Sequence, residues 1–236
     1  MNGLELTHKL SRYLEKLRLR PVRVFCFHQV SDVFEPDTMW ECDWTQTEAF
    51  KRKVLALKER YTFIPLDVAY DHIANDRFRV KNYAVLTADD GWASLKNIIP
   101  WLVEQKIPVT LFLNPLYLDG IHYQERATEK LLTRADVDEL VEQFSPMITI
   151  ASHGWSHKDC TKMSEEDFEI SVRMSEDALQ GIGGKIPFFA FTFGRYHDNQ
   201  ADWLRSQSIV PVLMDGTKNY DDATRIHREL LDGQTN

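Results

Sequence analysis

The sequence predicts an α/β fold built on a parallel sheet, and three observations carry that reading. Short apolar runs rich in β-branched and aromatic residues recur along the chain. They are continuous rather than alternating, as strands buried on both faces are. Stretches with helical spacing lie between most of them. The length, 236 residues, suits one barrel-sized α/β unit. No repeat, low-complexity tract or Pro/Ser-rich linker divides residues 1–236, so a single domain is expected.

In order, the strand candidates are VRVFCF (22–27), TFIPL (62–66), YAVLT (83–87), PVTLFL (108–113), MITIA (147–151), FFAFTF (188–193) and IVPVLM (209–214). The segments 47–61, 94–105, 134–144, 164–179 and 200–207 each read as an amphipathic helix. Thr47 stands as the cap of the first. Ser164, followed by Glu165, Glu166 and Asp167, places acids in a first turn, where the helix dipole favours them. Gly181, Gly183 and Gly184 end that helix. Residues 31–46 and 114–133 lack a clear pattern and are expected as loops over an active site. At the C-terminus, HREL (227–230) continues into a polar tail with too few apolar residues for a buried strand. Seven runs in β-α alternation fit a barrel or an open doubly wound sheet, and pattern alone does not choose. Both place functional groups just past the carboxyl ends of strands.

Composition narrows the function. Lys+Arg total 28 against 36 Asp+Glu, a formal net charge of −8, which argues against a protein that tracks nucleic-acid phosphates. A hydrophobic content of 43% supplies a core and excludes global disorder. Cys26, Cys42 and Cys160 are an odd set with no CxxC pair, so neither a disulfide framework nor a thiolate zinc knuckle is encoded. The first 21 residues are basic without an apolar core, and no stretch approaches about 18 consecutive apolar residues. No membrane span and a cytoplasmic location are expected. Nothing in the sequence speaks to oligomeric state.

Reactive residues fall where the strand-end rule puts them. His28 follows the first run, Asp89 and Asp90 the third, and His153 and His157 the fifth, while Gly194 closes the sixth. In AVLTADDGW, side-chain alternation gives the two adjacent carboxylates different roles, one as metal ligand and the other as base. A DDG alone reads as a turn with capping acids. In ITIASHGWSHKDC, a helical turn would project both imidazoles from one face. An HxxxH alone describes surface histidines as readily as ligands. Together, two imidazoles and a carboxylate are the donor set of a catalytic divalent cation. His8, His72, His122 and His197 lack metal spacing and read as solvated or structural. Trp40, Trp44, Trp92 and Trp155 lie beside the expected rim, where they can stack on a sugar or pack in the core.

These motifs resemble the polysaccharide deacetylases of carbohydrate esterase family 4, which carry a NodB homology domain. TADDG (87–91) is similar to that family's TFDDG motif and HGWSH (153–157) to its HSxxH motif. FAFTFG (189–194) sits at the third, commonly RPPYG. VFCFHQVSD (24–32) and the segment 47–73 resemble the poly-N-acetylglucosamine deacetylase branch, in which a histidine of the first strand replaces one usually found near the C-terminus. The resemblance covers roughly residues 22–226. It implies a distorted (β/α) barrel of about seven parallel strands, an N-acetylated carbohydrate substrate and one divalent metal, zinc first, with cobalt, nickel or iron as alternatives. It also implies roles: Asp90, His153 and His157 as metal ligands, Asp89 as general base, His28 as general acid, and the Phe193 backbone N–H as an oxyanion donor.

The chain departs from that pattern at four positions. Gly154 replaces a Ser or Thr, and Ala190, Thr192 and Phe193 stand where arginine, proline and tyrosine are usual. Some other group must then orient Asp89, and Arg225 is the sequence candidate. His227, in an RIH triplet similar to the family's LxH motif, rivals His28 as general acid. Two other readings share these residues: an esterase or amidase with a different substrate, and a carbohydrate-binding relative with weakened catalysis.

Overall fold

A computed structural model describes residues 9–13, 20–34, 43–75, 79–118, 131–182 and 187–232. His8, Trp40, Cys42, His122, Gly183 and Gly184 lie outside the described residues.

Seven parallel strands close into a barrel: β1 (Arg23–Phe27), β10 (Ile226–Leu230), β9 (Val210–Met214), β8 (Phe188–Ala190), β7 (Ile148–Ser152), β6 (Val109–Leu113) and β5 (Tyr83–Asp89). The ring shuts where β1 pairs with β5, from Arg23↔Ala84 to Phe27↔Ala88. Two short parallel strands, β2 (Gln29–Ser31) and β3 (Trp44–Gln46), pair with each other above β1. Around the barrel run α1 (Thr47–Lys58), α2 (Leu66–Ala74), α3 (Leu95–Glu104), the short α4 (Pro115–Leu118), α5 (Arg134–Phe144), α6 (Glu165–Leu179) and α7 (Asp198–Ser206).

Both faces of each stave are covered, which is why the runs are continuously apolar. Val24, Val85, Phe112, Ala151, Phe188, Ala190, Val212 and Ile226 fill the lumen. Outward residues such as Phe25, Phe27, Leu86, Leu111 and Leu113 pack with Phe50, Val54, Ile99, Leu102, Val137 and Leu140 of the first-half helices. A second outer cluster joins Phe189, Phe191 and Leu213 to Phe168, Val172, Ala201 and Leu204. No helix among the described residues is long and apolar enough to cross a membrane.

Several sequence expectations are corrected here. TFIPL is not a stave: β4 is only Thr62–Phe63, attached to the start of β5, because Pro65 starts α2 at once. The seventh stave is β10, from the segment expected to be a polar tail. Of its residues, Ile226 and Arg228 are buried; Arg228 is ionised, and Glu229 pairs with Arg23, so the strand shows no apolar run. β8 stops at Ala190, and 192–194 form a 3₁₀ turn. Gln46 rather than Thr47 caps α1, accepting from Ala49 N at 3.0 Å. Ser164 does cap α6, accepting from Asp167 N at 3.1 Å.

Phe112 is fully buried in the lumen, beneath the Arg228 guanidinium 5.0 Å from its ring centroid. Phe112→Ala should lower stability by about 3–5 kcal/mol, the usual cost of opening such a cavity. Urea unfolding with an unchanged slope is the measurement, and a loss below about 1 kcal/mol would mean that the lumen is not tightly packed.

Candidate active site

The strand ends bring Asp89, Asp90, His28, His153 and His157 together at the carboxyl mouth of the barrel, with Phe193 beside His157 in the turn after β8. Asp89 is the last residue of β5, and His28 and His153 directly follow β1 and β7. Alternation is not what separates the two aspartates. Asp90 leaves the strand in the left-handed region, φ 70°, followed by Gly91 at φ 78°. A Cβ on Gly91 would approach Leu113 Cδ2 to 2.8 Å, so glycine is required there twice over, by space and by conformation. Residues 153–159 form no helical turn either. The loop bends through Gly154 (φ 77°) and His157 (φ 49°) instead, setting the two imidazole centroids 5.1 Å apart.

Asp90, His153 and His157 form a buried cluster able to hold a divalent cation. Asp90 Oδ1 lies 3.0 Å from His157 Nε2 and 3.4 Å from His153 Nε2. It is buried, yet it accepts no hydrogen bond among the described residues. The other oxygen, Oδ2, accepts from Trp92 Nε1 at 3.2 Å. His153 Nδ1 faces the Ala190 carbonyl at 2.8 Å, which fixes the proton on that nitrogen and turns the Nε2 lone pair towards Asp90. Burial works against the Asp90 charge, but the two imidazoles outweigh it and hold its carboxyl well below the usual range.

Asp89 belongs to a different set. Arg228 grips it with both ends of its guanidinium, Nη1 to Oδ1 at 2.7 Å and Nη2 to Oδ2 at 2.8 Å, and Nη1 also donates to Thr87 Oγ1 at 3.2 Å. Burial raises the Asp89 pKa, while Arg228, then His153 and His28, lower it, and the lowering wins. Sequence reasoning missed Arg228 and named Arg225. Arg225 stands just before Ile226, about 10 Å further down the strand, with its Nε against Thr224 Oγ1 at 3.5 Å. The available signal was alternation: Arg228 shares a strand face with Ile226, the apolar residue that fills the lumen.

His28 is oriented by Asp232, at 2.6 Å from its Nδ1. Burial alone would lower the imidazole pKa, but the Asp232 hydrogen bond and charge, with help from Asp90 and Asp89, push it up to about 10. Asp232, itself pushed up to about 6 by burial against the pull of His28, went unnoticed in the tail. His28, Asp89 and Cys26 offer atoms within 4.8 Å of one another. Burial pushes the Cys26 thiol well above its ordinary value. His227 points elsewhere and pairs with Asp215 at 2.7 Å.

Phe193 occupies the turn after β8 with φ 57°, its ring partly exposed and 4.7 Å from the His157 ring. Of the tryptophans, Trp92 and Trp44 are buried. Trp92 serves Asp90, and Trp44 donates to Ser31 Oγ at 2.9 Å and packs on Phe34. Trp155 is half-buried and Trp40 lies outside the described residues. His72 packs beside Tyr83, and His197 is an exposed residue ahead of α7.

Three solved structures share this fold. IcaB from Ammonifex degensii aligns with a TM-score of 0.75 at 18% identity, over 90% of this chain and 92% of its own. The deacetylase PplD from Streptococcus pyogenes aligns with a TM-score of 0.75 at 17% identity, over 90% and 92%. A de-N-acetylase from Aggregatibacter actinomycetemcomitans aligns with a TM-score of 0.74 at 19% identity, over 92% and 97%. No curated protein matches the sequence significantly. The family model described as polysaccharide deacetylase matches residues 78–211, more than half of the chain, and that span contains both the DDG turn and the two-histidine loop. The chain therefore belongs to the polysaccharide deacetylase family, hydrolases of N-acetyl amide bonds.

Proposed function

We propose that the chain removes N-acetyl groups from an amino sugar within an oligosaccharide or polysaccharide, with one divalent cation, zinc in the first instance, held by Asp90, His153 and His157. The observation that carries this is Asp90 Oδ1: a buried carboxylate oxygen without a hydrogen bond, facing two imidazole nitrogens at 3.0 and 3.4 Å. Buried polar atoms are almost always satisfied, and a cation among three such donors satisfies all of them. Bound there, the ion supplies Lewis acidity, polarising the acetamide carbonyl and lowering the pKa of water.

The chain's own groups handle the protons. Asp89 takes one from the attacking water. Arg228 makes Asp89 a weaker base but guarantees that it is ionised and pointed, the part the family's third-motif arginine plays in the resemblance. The Phe193 N–H donates to the oxyanion that develops on the carbonyl oxygen. An amine leaves only when protonated, and His28, kept as imidazolium by Asp232, delivers that proton to the sugar nitrogen. Acetate and the free amino sugar are the products. The Arg228–Asp89 grip favours this reading over the weakened, binding-only one, because sugar binding alone does not need a buried, oriented carboxylate.

Replacing His157 by Ala should lower bound metal after identical loading, read by elemental analysis; equal stoichiometry in variant and wild type would remove His157 from the ligand set. Asp89→Asn should keep the metal and lose about 10²-fold or more in kcat for acetate release. Loss of the metal together with activity would instead exchange the roles of the two aspartates. Asp232→Asn tests the acid. The carboxylate raises the His28 pKa, so removing it must lower that pKa, and the alkaline limb of kcat/KM should move down by roughly 1–3 pH units. An unmoved alkaline limb would mean that His28 is not the acid it reports.

A further inference from the structure

The carbonyl side of the two-histidine loop is held along its whole length by one short segment at the end of β6, while the Ser152 and Ser171 hydroxyls accept from Gly154 N at 3.2 Å and Trp155 N at 3.1 Å. Between His153 and His157 lie four peptide carbonyls, those of His153, Gly154, Trp155 and Ser156, and each accepts a hydrogen bond from residues 114–117. Asn114 Nδ2 donates to the carbonyls of His153 and Gly154, the latter at 3.1 Å. Leu116 N donates to Trp155 O at 3.2 Å. Tyr117 Oη donates to Ser156 O at 2.6 Å. His153 N closes the set by donating to Leu113 O at 2.9 Å.

We propose that Asn114 and Tyr117 are positioning residues that preset the geometry of the cation site, a proposal that rests on the Asp90–His153–His157 reading above. The loop needs such support. It leaves β7 without entering a helix, and with residues 154 and 157 in the left-handed region it has no hydrogen-bond ladder of its own. Without those donors its carbonyls would be left unpaired, and each imidazole could then swing away from Asp90. Asn114 is fully buried, and while its amide nitrogen serves two carbonyls, its Oδ1 has no partner among the described residues. Burying an amide oxygen in that state costs stability. A residue kept for packing would be better replaced by an apolar one, so the position is held by its donor. Burial and the Asp90 charge push the Tyr117 phenol up to about 12, and it remains a donor throughout the working range. Both side chains bond the loop through its backbone carbonyls, and their hold on the ligands passes through that backbone, as outer partners of metal ligands commonly act, while the Tyr117 phenol also feels the Asp90 charge.

The test uses Co²⁺ as probe, with affinity measured by chelator competition and site geometry read from the visible absorption of the bound ion. Wild type, Asn114→Ala, Tyr117→Phe and His157→Ala are compared, each with its metal-free melting temperature and circular dichroism. Asn114→Ala should bind Co²⁺ about 10–100-fold more weakly, the usual scale for losing an outer partner of a ligand, with a shifted absorption band. Tyr117→Phe, which removes one hydroxyl and leaves the ring, should show a smaller shift in the same direction and keeps the proposal testable if Asn114→Ala does not fold. Unchanged affinity and spectrum in folded Asn114→Ala and Tyr117→Phe, with binding lost in His157→Ala, would overturn the positioning role and leave the cation site standing. Failure of wild type to bind Co²⁺ any better than His157→Ala would overturn both.

Discussion

Two full charges, those of Arg228 and Asp89, are buried side by side at the mouth of the barrel, and most of the site follows from the need to keep them paired. Desolvating two ions costs several kcal/mol each, and only good geometry offsets it. Here the two terminal guanidinium nitrogens each donate to one carboxylate oxygen, Thr87 takes a further N–H, and the Phe112 ring lies under the cation. The pair spans the lumen from β10 to β5, so it ties the chain's last stave to the strand that carries both aspartates. It also sets Asp89 apart from Asp90. One carboxylate is held by a permanent protein cation, while the other is turned towards imidazoles and leaves an oxygen unsatisfied.

Backbone conformation does the rest of the sorting. Among the described non-glycine residues with positive φ, three sit at this site: Asp90, His157 and Phe193. Such conformations cost of the order of 1–3 kcal/mol each and persist where surrounding structure enforces them. Each one redirects a group that a regular strand would have aimed elsewhere. Asp90 turns off the line of β5, His157 bends back towards His153, and Phe193 reverses the chain under the His157 ring.

The barrel was legible in the sequence because staves covered on both faces leave continuous apolar runs, and six of the seven show it. β10 was not legible, since its one fully buried side chain apart from Ile226 is an arginine whose burial is balanced by a partner 139 residues earlier. Hydropathy cannot see that. The same long-range pairing hid Arg228 and Asp232 as supports of Asp89 and His28. The ligand candidates were visible because short spacing and strand ends reveal them, although the reasons differed: left-handed turns, rather than a helical face or side-chain alternation, bring them together. TFIPL misled because it has the composition of a stave and a proline that stops it after two paired residues.

The supports for both proton-handling groups come from one short stretch, residues 228–232. Asp89 and His28 lie far earlier in the chain, and each waits for a partner from that stretch. During synthesis, β1 and β5 can pair as soon as both have left the ribosome, but the ring stays open and Asp89 stays without its counter-charge until β10 emerges. Ordering of the reactive mouth is thus postponed to the end of translation of this region, and a nascent chain stopped ahead of Ile226 holds the DDG turn and the two-histidine loop without the cation that pairs with its base and aims it.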